Sequence, residues 1–123
     1  MKEAKPLVLN VKHKWFELMV TGEKKCEYRK PSPWIRSRLW KRKKSISGIP
    51  VFESREYIVV KIVSGYGSSR PYFIARFIDH LENIDLFRVE YSNGLKVDVD
   101  PRDIIVRIGE ILKIENYNIN QNQ

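Results

Sequence analysis

The chain has no second cysteine. With Cys26 alone among 123 residues, no internal disulfide can form and no metal site can be built from several thiolates. Histidine is nearly as scarce, because His13 and His80 are the only two, so a zinc site would have to recruit carboxylates. Neither a metal nor a cofactor is therefore expected. Long apolar runs are missing as well. None approaches the ~20 residues needed to cross a bilayer, and the opening Met1-Lys2-Glu3-Ala4-Lys5-Pro6 lacks the apolar segment of a signal peptide. These absences argue against a membrane protein and against a secreted disulfide scaffold. A cytoplasmic location is expected.

What is present is enough for one core. The chain is 42% hydrophobic and 31% charged, which suits one compact domain, expected over residues 1–115, with the Asn/Gln-rich stretch 116–123 as a disordered polar tail. Charge is unevenly placed. Residues 24–44 hold ten Lys or Arg against one acid, Glu27, a net of +9, whereas the whole chain carries +8. The rest therefore sums to −1, and the positive field comes from a single segment. A basic stripe interleaved with aromatics is the electrostatic footprint of a nucleic-acid binder, because each phosphate neutralised releases condensed counterions. The competing reading is a solvated helix face or a flexible basic loop.

Periodicity places these residues on elements. Residues 6–11 read as a strand, and the run from Lys14 to Val20 carries Trp15, Leu18 and Met19 at helical spacing. Gly22 suits the helix stop, since it adopts positive φ without a Cβ clash. In the next strand, 26–29, Cys26 and Tyr28 share one face and Glu27 and Arg29 the other, with Lys24 just before it. Tyr28 is expected in the core. Ser32 and Pro33 look like N-cap and first residue of a basic helix running to about Lys43, with Ile35 and Leu39 as a thin apolar stripe. Residues 45–55 begin as a loop, either a lid or a connector. A β-branched run within 56–64, a strand over 72–80, two strands flanking an Asn93-Gly94 two-residue turn and a last strand from 103 to 115, with a break at Gly109, complete the reading. The expected class is α+β.

The 22–29 stretch, Gly-Glu-Lys-Lys-Cys-Glu-Tyr-Arg, preceded by a strand and a helix, resembles the opening of the ASCH domain family in the PUA-like superfamily, of bacterial or phage type. The resemblance is specific over roughly the first 30 residues. It is looser at the Gly65-Tyr66-Gly67 turn and over 104–112. It implies a small mixed β-barrel with about two flanking helices, and a cleft between barrel and first helix lined by Lys24, Glu27 and Arg29. The family contains binders, suspected nucleases and amidohydrolases. The amidohydrolase branch, which deacetylates N4-acetylcytidine, carries a threonine nucleophile three residues after the motif lysine, where this chain has Glu27. A carboxylate cannot stand in for that hydroxyl without forming a mixed anhydride, and Thr21 lies on the wrong side of the lysine.

The residues expected to bind RNA or a nucleotide are Lys12, Lys24, Glu27, Arg29, Trp34, Arg36, Arg38, Lys41, Arg42, Tyr66 and Arg70. Two cations and a carboxylate within six residues suit a phosphate or ribose and a base, whereas the structural alternative is a salt bridge that solvates an open sheet face. Residues 36–44 would follow a phosphate backbone, and Trp34 and Tyr28 offer stacking faces. Tyr66 and Arg70 sit in a glycine turn that lacks the Gly-Lys-Ser/Thr ending of a P-loop. An enzyme reading, metal-independent ribonuclease or modified-nucleoside hydrolase, would use Glu27 and Lys24 as acid-base groups, with His13 or His80 as further candidates. Cys26 faces away from Glu27 and reads as a small core residue. A third class is a protein-interaction module in which Trp34, Trp40 and the basic helix dock an acidic partner.

Overall fold

Leu7, Leu9 and Val11 alternate inward along β1 (Leu7–Val11), and the chain then turns into α1 (His13–Val20), whose Phe16 and Met19 close over the same core. The computed structural model in which this is seen describes residues 2–117, with only the backbone of Ile46. The order continues with β2 (Cys26–Arg29), α2 (Pro33–Leu39), β3 (Trp40–Ile46), β4 (Ile49–Ser54), β5 (Val59–Ser64), β6 (Tyr72–Glu82), β7 (Phe87–Glu90), β8 (Lys96–Val99) and β9 (Ile104–Glu115). The class is α+β. No helix among the described residues is long and apolar enough to cross a membrane.

Five strands form one sheet in the order β1-β5-β6-β9-β2, with β1 and β5 parallel and the other neighbours antiparallel. This sheet curls strongly into a half-barrel around the core. The long central pair β6 and β9 slips register three times between Ile74 and Asp79, and such bulges bend strands and raise their twist. Gly109 lies at this bend. A Cβ there would come within 3.4 Å of Ile78, so the strands approach closely where the sheet curls. The expected break at Gly109 is thus a bend within one continuous strand. The core is built from Leu7, Leu9, Phe16, Ile35, Leu39, Val60, Ile62, Phe73, Ile104 and Val106, each burial of a Phe or Leu contributing about 1.5–3 kcal/mol.

Several expectations change. Helix α2 starts as read, with the Ser32 hydroxyl accepting from Ile35 N at 3.2 Å and Pro33 first, but it stops at Leu39 rather than near Lys43. The apolar stripe of Ile35 and Leu39 has no successor one turn on, where Arg42 and Lys43 stand, and four consecutive cations on one helical turn would repel. As strand β3 they alternate, and Lys43 pairs with Glu53 of β4 at 3.0 Å. The stretch from 45 to 55 is accordingly mostly a hairpin arm, not a lid loop. Its turn is Ser47-Gly48, both at positive φ (53° and 79°), the type I′ pattern that matches strand twist.

The hairpin β7–β8 exists where Asn93-Gly94 points, but its loop has three residues. Tyr91 N donates to Leu95 O, Gly94 N donates to Tyr91 O, and Gly94 takes φ 87°. That is a type I turn with a glycine bulge, fixed by Leu95 N donating to Asn93 Oδ1 at 3.0 Å. At the C-terminal end Tyr117, within the stretch expected as a polar tail, packs edge-on against Phe16 at 5.4 Å. The remaining residues of that stretch, 118–123, lie outside the described residues.

Candidate functional site

The two edges of the half-barrel, β1 and β2, share no backbone ladder, and the seam between them holds the motif residues. Gly22, at φ 90°, ends α1 and lets Lys24 N return to Leu18 O at 2.9 Å, which aims the Lys24 side chain into the seam. Alternation along β2 sends Glu27 and Arg29 the same way. Lys24 Nζ lies 3.2 Å from Glu27 Oε1, and Arg29 Nε donates to Glu27 Oε2 at 2.9 Å. Arg29 Nη2 continues to the backbone carbonyl of Asn10 at 2.6 Å.

This charge cluster is largely out of water. Lys24 is 2% exposed and Glu27 7%. Lys24 also donates to the Cys26 carbonyl and lies over the Tyr28 ring at 5.0 Å and the Trp15 ring at 6.0 Å. Burial pushes its ammonium below the usual lysine range, against the opposing pull of Glu27. The same burial pushes the Tyr28 phenol up, and carries that of Tyr91 up to about 12. Both phenols therefore stay protonated.

Beside the cluster lies a cavity of about 250 Å³, lined from β1 and its end by Asn10 and Lys12, from α1 by Trp15, from β2 by Glu27, Tyr28 and Arg29, and from β8 by Val97. It is smaller than the ~300–1,000 Å³ typical of pockets for drug-sized ligands, and so has room for one small group. The β7–β8 hairpin walls one side. Tyr91 meets Trp15 edge-on at 6.1 Å, Phe87 meets Tyr28 edge-on at 6.0 Å, and Glu23 accepts hydrogen bonds from the backbone and hydroxyl of Ser92 at the hairpin tip. Those bonds hold the Glu23 carboxyl below its ordinary range.

The residues expected from the sequence thus divide. Lys12, Lys24, Glu27 and Arg29 meet at the seam cavity. Trp34 and Arg38 line a second cavity, of about 440 Å³, between α2 and β1, with the Arg38 guanidinium over the Trp34 ring at 5.3 Å. Arg36 and Arg42 line a third, of about 610 Å³, between α2 and the β3–β4 arm. Lys41 is exposed on β3. Tyr66 and Arg70 close their own turn, Arg70 Nε donating to Tyr66 O at 2.9 Å, and they do not line the seam cavity. The turn is nonetheless tied to the seam, because Asn10 Nδ2 donates to Gly65 O at 2.6 Å.

Two further residues at the seam are not among the ligands that the sequence singles out. Asn10 is legible there only as a polar residue near the end of an apolar strand, and Trp15 only as one apolar position of a helix. Tyr28, expected in the core, is half-buried at the cavity because β2 is an edge strand. Of the residues that the enzyme reading names, Glu27 and Lys24 are at the seam, and the histidines are elsewhere. His13 pairs with Glu17 and the Ser64 hydroxyl, and His80 sits between Ser54 and Trp40, whereas Cys26 stands beside the Tyr28 hydroxyl and does not itself line the cavity. Among the described residues no group of His, Cys, Asp and Glu is arranged to hold a metal ion. Comparison of the chain with protein-family models, with curated proteins and with solved structures found no match.

Proposed function

We propose that this chain is an ASCH-type, PUA-like protein that binds RNA or a nucleotide at the seam between β1 and β2. The observation that carries the reading is the buried carboxylate of Glu27, held between Lys24 and Arg29 beside a cavity walled by Trp15 and Tyr28. Burying an ion triplet is costly, and an apolar replacement of similar volume is often as stable, so such a cluster is poorly explained by stability alone. A nucleobase accounts for it. The aromatic walls supply stacking faces, the carboxylate accepts from base amino or imino groups, and Arg29 Nη1 is left for a carbonyl or phosphate oxygen. Lys12, exposed at the mouth and without a protein partner among the described residues, suits the phosphate.

The test is binding of the purified protein to mixed single-stranded RNA and to nucleoside monophosphates at two salt concentrations, with EDTA present and the RNA resolved on a gel afterwards. Salt-sensitive binding of intact RNA that weakens at least tenfold in Glu27→Gln supports the proposal. RNA cleaved by wild type but not by Glu27→Gln replaces it with the ribonuclease. Absence of binding to every probe overturns it.

A further inference from the structure

The three cavities named above are neighbours that share lining residues. Asn10 lines both the seam cavity and the second cavity, and Ser37 and Arg55 line both the second and the third. In that order they trace a line from the seam, along α2, to the β3–β4 arm. Each station has the same chemistry. At the seam, Trp15 and Tyr28 lie beside Arg29 and Lys12. At the middle station Trp34, 45% exposed, lies beneath the Arg38 guanidinium. At the far station Phe52, 60% exposed, stands opposite Arg42 across the hairpin, with Trp40 held edge-on by His80 at 4.6 Å. Arg42 has no hydrogen-bond or ion-pair partner among the described residues, and neither has the Arg38 guanidinium.

We infer that this track binds an extended single strand of nucleic acid, one base at each aromatic station and its phosphates on Arg38 and Arg42. The inference rests on the seam reading above and deepens it, from a single nucleotide to an oligonucleotide. A repeated pairing of an aromatic face with a neighbouring cation is what a single strand needs, since every base has a stackable face and every linkage a charge. An acidic peptide would use the cations and leave the aromatic faces without a role. Helix α2 stopping at Leu39 is what makes the far station. As a helix, 40–44 would carry its cations around all sides, whereas in β3 the Arg42–Phe52 pair is set at the track's end.

The experiment is a length series of oligouridylate and oligoadenylate from one to twelve nucleotides, in ribose and deoxyribose forms, titrated against the full chain and against Arg42→Gln and Phe52→Ala. Both side chains are exposed on the arm, so neither variant threatens the fold. Affinity is expected to climb with length and level off within about 4–16 nucleotides. Phe52→Ala should weaken the longer oligonucleotides about 5- to 150-fold and leave mononucleotides unaffected, the range that ~1–3 kcal/mol of stacking per base implies. Arg42→Gln should lower the steepness of log affinity against log salt by about 0.7. Mononucleotide binding with no gain from length overturns the track and leaves the seam site standing. Failure of all probes, mononucleotides included, overturns both. Equal binding of polyglutamate, or unchanged affinity in both variants at every length, overturns the track.

Discussion

Arg29 Nη2 donates to the backbone carbonyl of Asn10 at 2.6 Å, joining the two edge strands that the sheet itself leaves apart. A side chain, not a ladder, bridges the open side of the half-barrel. The same guanidinium holds Glu27, so one residue serves both the seam and the charge cluster. Arg29→Gln should therefore destabilise the protein by about 2–4 kcal/mol, because it removes two hydrogen bonds involving a charged group. Arg29→Lys should rescue little, since an ammonium cannot reach both partners with a fixed fork. Urea unfolding measures this, and a loss below about 0.5 kcal/mol for Arg29→Gln would show that the seam is held by something else.

Lys24 and Glu27 form the buried half of the cluster, at 2% and 7% exposure. Lys24→Met should cost about 3–5 kcal/mol, because it leaves Glu27 with one cation and desolvated on the other side. Combining it with Glu27→Gln should cost less than the sum of the two single changes, with a coupling of about 0.5–3 kcal/mol. A double-mutant cycle by denaturant unfolding gives the number directly. Additive effects would mean that the two side chains do not sense one another in the folded protein.

What the sequence made legible was local. Gly22 as a stop, Cys26–Arg29 as a strand and Ser32-Pro33 as a helix start each depend on a few adjacent residues, and each matches the structure. Alternation also placed Glu27 and Arg29 on one side with Lys24. What depends on distant strands was not legible. Nothing in the sequence makes β2 an edge, so Tyr28 read as core, and nothing at Asn10 announces that its carbonyl meets a guanidinium 19 residues away. Residues 40–43 read as helix because the preceding stripe is helical. Their strand form is set by β4, whose Pro50 and exposed residues gave no clear strand signal.

Gly48 offers a test of the arm. It occupies φ 79° in the turn between β3 and β4, with open space around the position a Cβ would take. Gly48→Ala should thus cost backbone strain without a clash, about 1 kcal/mol, and confine it to the arm. Hydrogen exchange should show faster opening of β3 and β4 amides, while those of β5 and β6 keep wild-type rates. Equal acceleration in β5 and β6 would mean that the arm unfolds only with the core.

His80 should make the attachment of that arm sensitive to pH. Its Nε2 lies 2.7 Å from the Ser54 hydroxyl and 3.2 Å from the Arg55 carbonyl, its ring meets Trp40, and its buried Nδ1 has no hydrogen-bond partner among the described residues. Burial holds its pKa below the ordinary 6.5, with the Arg55 and Leu39 carbonyls and Asp79 opposing. A depressed histidine pKa means that the unfolded chain takes up the proton first, so stability is fully present above 6.5 and is lost as pH falls from there through the folded value. The melting temperature should fall between pH 7.5 and 5.5 in the wild type by more than in His80→Asn, the difference between the two isolating this residue from the other titrating groups. Equal falls in both proteins would show that His80 is as readily protonated in the fold as in the unfolded chain.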